Sequence, residues 1–496
     1  MRRDVTVRLM STEINHLKNV NFGIVDYMNK TSINKDATIK NTDIVGIYGQ
    51  NGSGKTALVE ALDILKYIIS EKEVPYDEYG GLIPANCDAR LSYAFYIDIE
   101  GMKKKYKAEY SAVLRANETN RKVEIIEEQL NYWDRGATWK NRRDIGFQNP
   151  FYNLDDILTE ENVEIKTSKG RAFNDIPFLF SMRSLGIYCA QKYVSIFFNR
   201  LMRKGLDDIR DSSEAYDLNN VIHALYQFGC IDLHVIKVSQ LATINKNYVI
   251  PLNFRYETES SVIHGLIPLF TDGVGELPLN IMGVFSSTID AINIALKSVI
   301  PNLKIELIKK NEIEKENGER YVQVEVYSRR EENRFLFKYE SEGIKRIVSL
   351  MHYMIAVYNN SNVCLVVDEL DSGIYEYLLG EILGLMYKEM KGQLIFTSHN
   401  LRVLEKLGTK NIVCSTVNPD NRYIRLKGVE KNHNKRDFYI RTITVGGQNE
   451  DLYDEDDLTS MGYAFRKAGR IKKTNAEISF SKEFKELRSR EEGKHE

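Results

Sequence analysis

The stretch Gly49-Gln50-Asn51-Gly52-Ser53-Gly54-Lys55-Thr56 has the spacing G-x-x-x-x-G-K-[ST], and its flanks decide how it folds. Before it runs Asp43-Ile44-Val45-Gly46-Ile47-Tyr48, short and apolar like a buried strand. After it, Leu58, Ala61, Leu62, Leu65 and Ile68 recur on one face of a 3.6-residue period. Strand, glycine-rich turn and helix in that order suit a triphosphate, because several backbone N–H groups must point inward at once and glycines let the chain turn without Cβ clashes. Lys55 is expected to reach the β- and γ-phosphates and Thr56 to offer its hydroxyl to Mg²⁺, with the helix N-terminus facing the anion. The bland alternative is a glycine-rich turn ahead of an ordinary helix; Lys55-Thr56 and both flanks argue against it.

At 496 residues the chain is expected to divide into two or three compact units. Hydrophobic content of 43% and charged content of 28% allow a sizeable core without disulfides. The five cysteines, Cys87, Cys189, Cys230, Cys364 and Cys414, form no C-x-x-C pair, which points to a reducing compartment and away from a zinc knuckle. A net charge of −2 names no global partner, so any nucleic-acid surface has to be local. Met1 to Val7 alternates like a strand without an apolar leader core, and no uninterrupted apolar run approaches a membrane span; a cytosolic protein with no membrane partner is expected.

The chain reads as four regions. Residues 1–154 form an N-terminal lobe with the phosphate loop and an antiparallel meander through Tyr93–Ile99, Tyr106–Tyr110 and Val123–Leu130. Residues 155–333 read as a mostly helical insertion, with helices over Phe178–Arg203, Leu218–Phe228 and Ile281–Ile300, then strands at Leu303–Ile308 and Tyr321–Val326. Sustained heptads are missing, which argues against a long coiled-coil arm. Residues 334–420 return to α/β patterning, and 421–496 form an extension with a charged tail. The fold class is α/β, a mixed sheet with helices plus an antiparallel β subdomain.

Val363–Val367 is a continuous apolar run ending in Asp368-Glu369, and Gln393–Ser398 is another ending in His399. Both deliver polar groups where ligands bind in open α/β sheets. Asp368 is the candidate Mg²⁺ carboxylate and Glu369 the group that polarises the attacking water, since consecutive residues at a strand end face opposite sides. His399 is placed to hydrogen-bond the γ-phosphate or the water; a satisfied strand-end histidine is the alternative. Ser341-Glu342-Gly343 opens a helix and offers a second phosphate-binding surface, compatible with plain N-capping by Ser341. Lys345 and Arg346 behind it suit solvent as well as nucleotide.

In this order, the phosphate loop, the Ser341-x-Gly343 helix start, the strand into Asp368-Glu369, the Asp371-Ser372-Gly373 turn and Thr397-Ser398-His399 resemble ABC-type ATPase heads. The Asp-Glu-Leu-Asp-Ser-Gly-Ile sequence looks most like the AAA15 or OLD-like branch, related to RecF, SMC and Rad50. The resemblance covers both ends of the chain and leaves the middle unassigned. It implies ATP and Mg²⁺ as cofactors and a homodimer or higher homo-oligomer. In that dimer two heads sandwich two ATP molecules, and Ser341 and Gly343 complete the partner's site. Ser372-Gly373-Ile374-Tyr375 would be the turn across that interface. The signature is not Leu-Ser-Gly-Gly-Gln, Tyr375-Glu376 stands where many relatives have His-Pro, and Gln148 is a weak candidate for the glutamine that usually joins the site to its neighbouring lobe.

OLD nucleases carry a TOPRIM domain after the ATPase, whereas 496 − 399 = 97 positions follow His399, and the acidic run Asp451–Asp457 lacks strand context; no intrinsic nuclease is expected. Asn421–Arg441 holds seven Lys or Arg (422, 425, 427, 431, 435, 436, 441) against two acids (430, 437), interleaved with Tyr423, Phe438 and Tyr439. This stripe suits either a nucleic-acid backbone or a solvated strand pair. The leading expectation is an ATP-hydrolysing switch, the ATPase of a bacterial anti-phage or abortive-infection complex with a separate effector protein. The alternatives are a RecF- or SMC-like DNA-repair ATPase that clamps DNA and an ATP-binding scaffold with little hydrolysis. A transporter subunit fits least.

Overall fold

The computed structural model describes residues 5–28, 43–102, 105–135, 139–148, 185–208, 213–238, 249–257, 262–270, 273–427, 434–453 and 458–468. Residues up to Leu452 form one compact unit; Tyr453–Glu496 form a second, described over the helix Leu458–Ala468. The first half of the larger unit runs β1 (Val5–Leu17), β2 (Val20–Asp26), β3 (Ile44–Tyr48), α1 (Lys55–Ile69), β4 (Ala89–Ile99), β5 (Lys105–Asn117), β6 (Lys122–Arg135) and β7 (Trp139–Gln148). The middle adds α2 (Arg200–Asp208), α3 (Ser213–Gln227), β8 (Leu233–Ile236), β9 (Val249–Glu257), β10 (Val262–Phe270), β11 (Val274–Pro278), α4 (Met282–Val299), β12 (Lys304–Glu314), β13 (Arg320–Arg330) and β14 (Asn333–Leu336). The last part holds α5 (Glu342–Asn359), β15 (Cys364–Val367), α6 (Glu376–Glu389), β16 (Gln393–Thr397), α7 (Leu401–Lys406), β17 (Ile412–Ser415), β18 (Tyr423–Ile424) and α8 (Lys435–Val445).

Every residue of β3, β15 and β16 is buried, as their unbroken apolar runs require. They lie in a six-stranded sheet of order β18-β17-β3-β16-β15-β8, parallel except for β17 against β18. Alternate side chains serve opposite faces: Val45, Ile47, Val366 and Ile395 join a core with α1, whereas Ile44, Leu365, Val367 and Phe396 join one with α4, α5 and α6. α1 is covered on its other side by a fully antiparallel sheet of order β2-β1-β4-β5-β6-β7, and the Tyr93 hydroxyl pins the two layers by donating to the Ala61 carbonyl at 2.6 Å. β11, β13, β12 and β14 make a third sheet, and β9 pairs with β10.

The middle of the chain corrects the expectation of a mostly helical insertion. Its described residues are as much strand as helix, and β8 belongs to the six-stranded sheet that holds β3, β15 and β16, pairing with β15 in the register Ile236↔Val367. A four-residue strand that follows directly on α3 and the turn Phe228–Asp232 leaves no period for a sequence reading to detect. The expected helix Phe178–Arg203 is helical at 185–192 and resumes at α2, with Tyr193 in the left-handed region (φ 55°) between them; positions 178–184 lie outside the described residues. The segment Leu279–Val299 is long and apolar enough, by length and composition, to cross a membrane, although polar residues interrupt its apolar runs. One face of it, Phe285, Ile289, Ile292 and Leu296, packs into the second core.

Just past β8, Lys237 is buried and donates to the Tyr79 hydroxyl at 2.7 Å, lies 3.0 Å from Asp63 Oδ2 and contacts Glu78. It thereby ties the edge strand to α1. Lys237→Met leaves Asp63 buried without its cation, and is expected to lower stability by about 3 kcal/mol, with Asp63→Leu in the same chain recovering only part of it, because the buried Tyr79 hydroxyl then loses both of its partners. Urea midpoints of the two variants check this.

Candidate functional site

Parallel register brings three strand ends to one edge of the sheet: Thr397 pairs with Ile47 and Val367 with Phe396. Gly49 follows β3, Asp368-Glu369 follow β15, and Ser398-His399 follow β16. A cleft of about 180 Å³ opens there, lined by Asn51, Gly52, Gly54, Lys55 and Thr56 of the loop, by Asp368, Glu369 and His399, and by Lys18 and Asn19 from the β1–β2 turn. Residues more than 300 positions apart in sequence thus share one cavity.

The loop takes backbone angles that suit glycine, φ 78° at Gly52 and 86° at Gly54, and a Cβ on Gly54 would meet Val20 Cγ2 at 2.9 Å. Gly54 caps α1, so the first N–H groups of that helix are left for an anion. Gly49, Gln50 and Ser53 lie behind the lining and shape the loop; Ser53 Oγ donates to the Gln50 carbonyl at 2.7 Å. The Lys55 ammonium is buried and folds back onto the Gly49 and Gln50 carbonyls, 2.8 Å to each. Burial pulls its pKa down while Asp368, Glu369 and Asp371 pull it up, so phosphate oxygens would replace carbonyls as its acceptors in an acid-rich setting.

Thr397 orders the acidic pair. Its hydroxyl donates to Asp368 Oδ1 at 2.6 Å and accepts the Glu369 N–H at 2.7 Å. Glu369 sits at φ 46°, a left-handed position that costs a non-glycine residue energy and is held by its neighbours. Arg346, buried on α5, is one of them: its Nη2 reaches the Glu369 carbonyl at 2.6 Å and the Asp368 carbonyl at 3.3 Å. Burial pushes that guanidinium down to about 10 against the pull of Glu369, Asp371 and Asp368, and the side chain grips main chain instead of facing solvent or ligand. His399 is anchored by its own N–H on Asp371 Oδ2 at 3.2 Å. Burial and the Lys55 charge lower its pKa, against Asp371, Glu369 and Asp368, so the imidazole is neutral at pH 7.

Ser341 and Gly343 are not in this cleft. Ser341 is exposed and accepts the Ile344 N–H at 3.4 Å, the N-cap expected of it. Gly343 abuts the Asp371–Gly373 turn: a Cβ there would lie 2.2 Å from the Gly373 carbonyl oxygen. Gln148 ends β7, and its side chain lies outside the described residues. Part of the basic stripe is tied inward: Arg422 is bound to the Thr416 and Asn19 carbonyls, Arg425 to those of Lys410 and Asp26, and Lys435 to that of Leu407, whereas Lys427, Arg436 and Arg441 are exposed. Lys431 lies outside the described residues, as do 454–457 of the acidic run.

Sequence reading left Lys18 and Asn19 without a role, named Thr397 only as part of the strand end before His399, and weighed Arg346 between solvent and nucleotide, whereas it grips main chain. Lys18 forms an ion pair with Glu60 of α1 at 3.3 Å, and the Asn19 amide donates to the Gly52 carbonyl. No protein-family model matches the chain, and no curated protein matches it in sequence. Among solved structures, it is similar to an SMC head bound to the C-terminal winged-helix domain of ScpA (10% identity, TM-score 0.38, 84% of this chain and 97% of that one). It is also similar to the SMC head domain of Thermotoga maritima (13%, 0.35, 85% and 99%) and to the recombination mediator RecF with ATP (11%, 0.34, 85% and 100%). At these values the likeness carries no functional weight, and the AAA15 or OLD-like assignment stays a resemblance of motifs.

Proposed function

We propose that this chain is a Mg²⁺-dependent ATP hydrolase that works as a switch, two copies engaging head to head. One observation carries the reading: Lys55, Thr56, Asp368, Glu369 and His399 line a single cleft at the end of a parallel sheet. The cradle suits a Mg²⁺-bound phosphate group, since glycine-enabled N–H groups and a buried ammonium line the same cleft as a carboxylate oriented by Thr397. Lys55 holds the β- and γ-phosphates, and Thr56 with Asp368 supplies the oxygen ligands for the metal. Mg²⁺, when bound, neutralises charge on the phosphate oxygens. Glu369 orients the attacking water, and neutral His399 hydrogen-bonds near the γ-phosphate.

Completion in trans is supported by the exposure of Ser341 and by the absence of both Ser341 and Gly343 from their own chain's cleft. The defence role with a separate effector rests on motif resemblance, and the DNA-clamping reading stands beside it. Duplex binding that falls steeply with salt and stimulates turnover marks the DNA clamp; a protein retained without DNA marks the effector. The core test is phosphate release by the purified chain: turnover with ATP and Mg²⁺, abolished by EDTA and by Lys55→Ala, is expected. Binding without hydrolysis would leave only the scaffold.

A further inference from the structure

We infer that the β17–β18 pair is a positioning strap for the phosphate loop, in which Tyr423 and Ser415 set the directions of the loop's peptide groups. The inference deepens the nucleotide-site reading and rests on it for ATP affinity alone. Ser415 and Tyr423 are directly opposed in the antiparallel register, so their side chains share one face of the pair. That face meets the loop at two points. The Tyr423 hydroxyl, on a buried ring, donates to the Gly54 carbonyl at 2.6 Å. Ser415 Oγ lies 2.5 Å from Ser53 Oγ and donates to the Tyr48 carbonyl at 3.1 Å. The fit is close: a Cβ on Gly49 would fall 2.0 Å from Ser415 Oγ.

The consequence follows from peptide planarity. In a trans peptide the carbonyl of one residue and the N–H of the next point in opposite directions. Holding the Gly54 carbonyl back toward Tyr423 therefore turns the Lys55 N–H the other way, as the first unpaired donor of α1. The strap also reaches the far wall of the cleft. Arg422 donates to the Asn19 carbonyl, and the Asn19 amide donates to the Gly52 carbonyl. Loop, β1–β2 turn and strap are thus one hydrogen-bonded assembly made by the chain's own groups. Pre-organisation of this kind raises affinity by removing the ordering cost of binding.

Tyr423→Phe keeps the ring and removes the hydroxyl; Ser415→Ala tests the other attachment. Amide hydrogen exchange of the nucleotide-free full chain, read over the peptide spanning 49–58, is expected to quicken roughly tenfold in Tyr423→Phe, the upper range for one buried hydrogen bond. The MgATP dissociation constant should rise by about the same factor, with turnover at saturation within about twofold, because the strap positions donors and touches no reacting atom. A simple packing role would lower the melting temperature and leave loop exchange unchanged. Unchanged exchange in both variants, with native melting, overturns the proposal. If Tyr423→Phe fails to fold, loop exchange in Ser415→Ala decides between the two roles. A wild-type chain that binds no ATP would remove the hydrolase reading, and the exchange result would still decide the strap.

Discussion

Glu369→Gln is expected to lower ATP turnover at least about a hundredfold while MgATP affinity changes by less than about threefold. The substitution preserves volume and removes the carboxylate proposed to orient water. Little else should move. Glu369 is held by main-chain groups, its N–H on Thr397 Oγ1 and its carbonyl on Arg346, and glutamine keeps both. In the proposed site, phosphate binding falls to the loop and Lys55, which line the same cleft. Steady-state turnover, nucleotide binding by calorimetry and the melting temperature together separate the roles. Equal turnover in the variant and the wild type would show that Glu369 does no chemistry and would support the scaffold. Lys55→Ala is the contrasting variant: it should lose binding first, because the buried ammonium is the loop's own cation.

How much of this was legible in the sequence depended on the range of the interaction. The phosphate loop declared itself because strand, turn and helix signals are local and agree. β15 and β16 declared themselves because strands buried on both faces must be apolar throughout. β8 did not, being four residues long and continuous with a helix. The partners that orient the site were hidden for another reason. Thr397 acts on Asp368 across two strands, Arg346 acts on main chain, and Tyr423 acts on Gly54 from 369 positions away. No composition or period reveals such bonds. The stripe at Asn421–Arg441 stayed ambiguous for a related reason, because a run of cations looks the same in sequence whether the charged groups face solvent, as at Lys427 and Arg436, or hold carbonyls. Arg422 and Arg425 hold carbonyls.

Mixing two inactive variants is expected to restore hydrolysis if copies complete each other's sites. Lys55→Ala supplies one half. For the other, Gly343→Asp is the obvious choice, but the structure argues against relying on it. Any side chain at 343 runs into the Gly373 carbonyl of its own chain, so loss of activity would not distinguish a damaged turn from a missing partner contact. Ser341→Arg is cleaner: Ser341 is exposed, and its side chain makes a long N-cap interaction of 3.4 Å, worth about 1 kcal/mol or less. In a mixed dimer one cleft carries both lesions, and the other has an intact loop from the Ser341→Arg copy and an intact Ser341 from the Lys55→Ala copy. Random equimolar mixing makes half the dimers mixed, each with one working cleft of two, so recovery of about a quarter of wild-type turnover is expected. Subunit exchange must be shown separately, by labelled copies that co-purify. With exchange proven, no recovery means that each copy is self-sufficient or that Ser341 serves only its own helix, and either result ends the composite-site account while leaving the cleft chemistry of Lys55, Asp368 and Glu369 untouched.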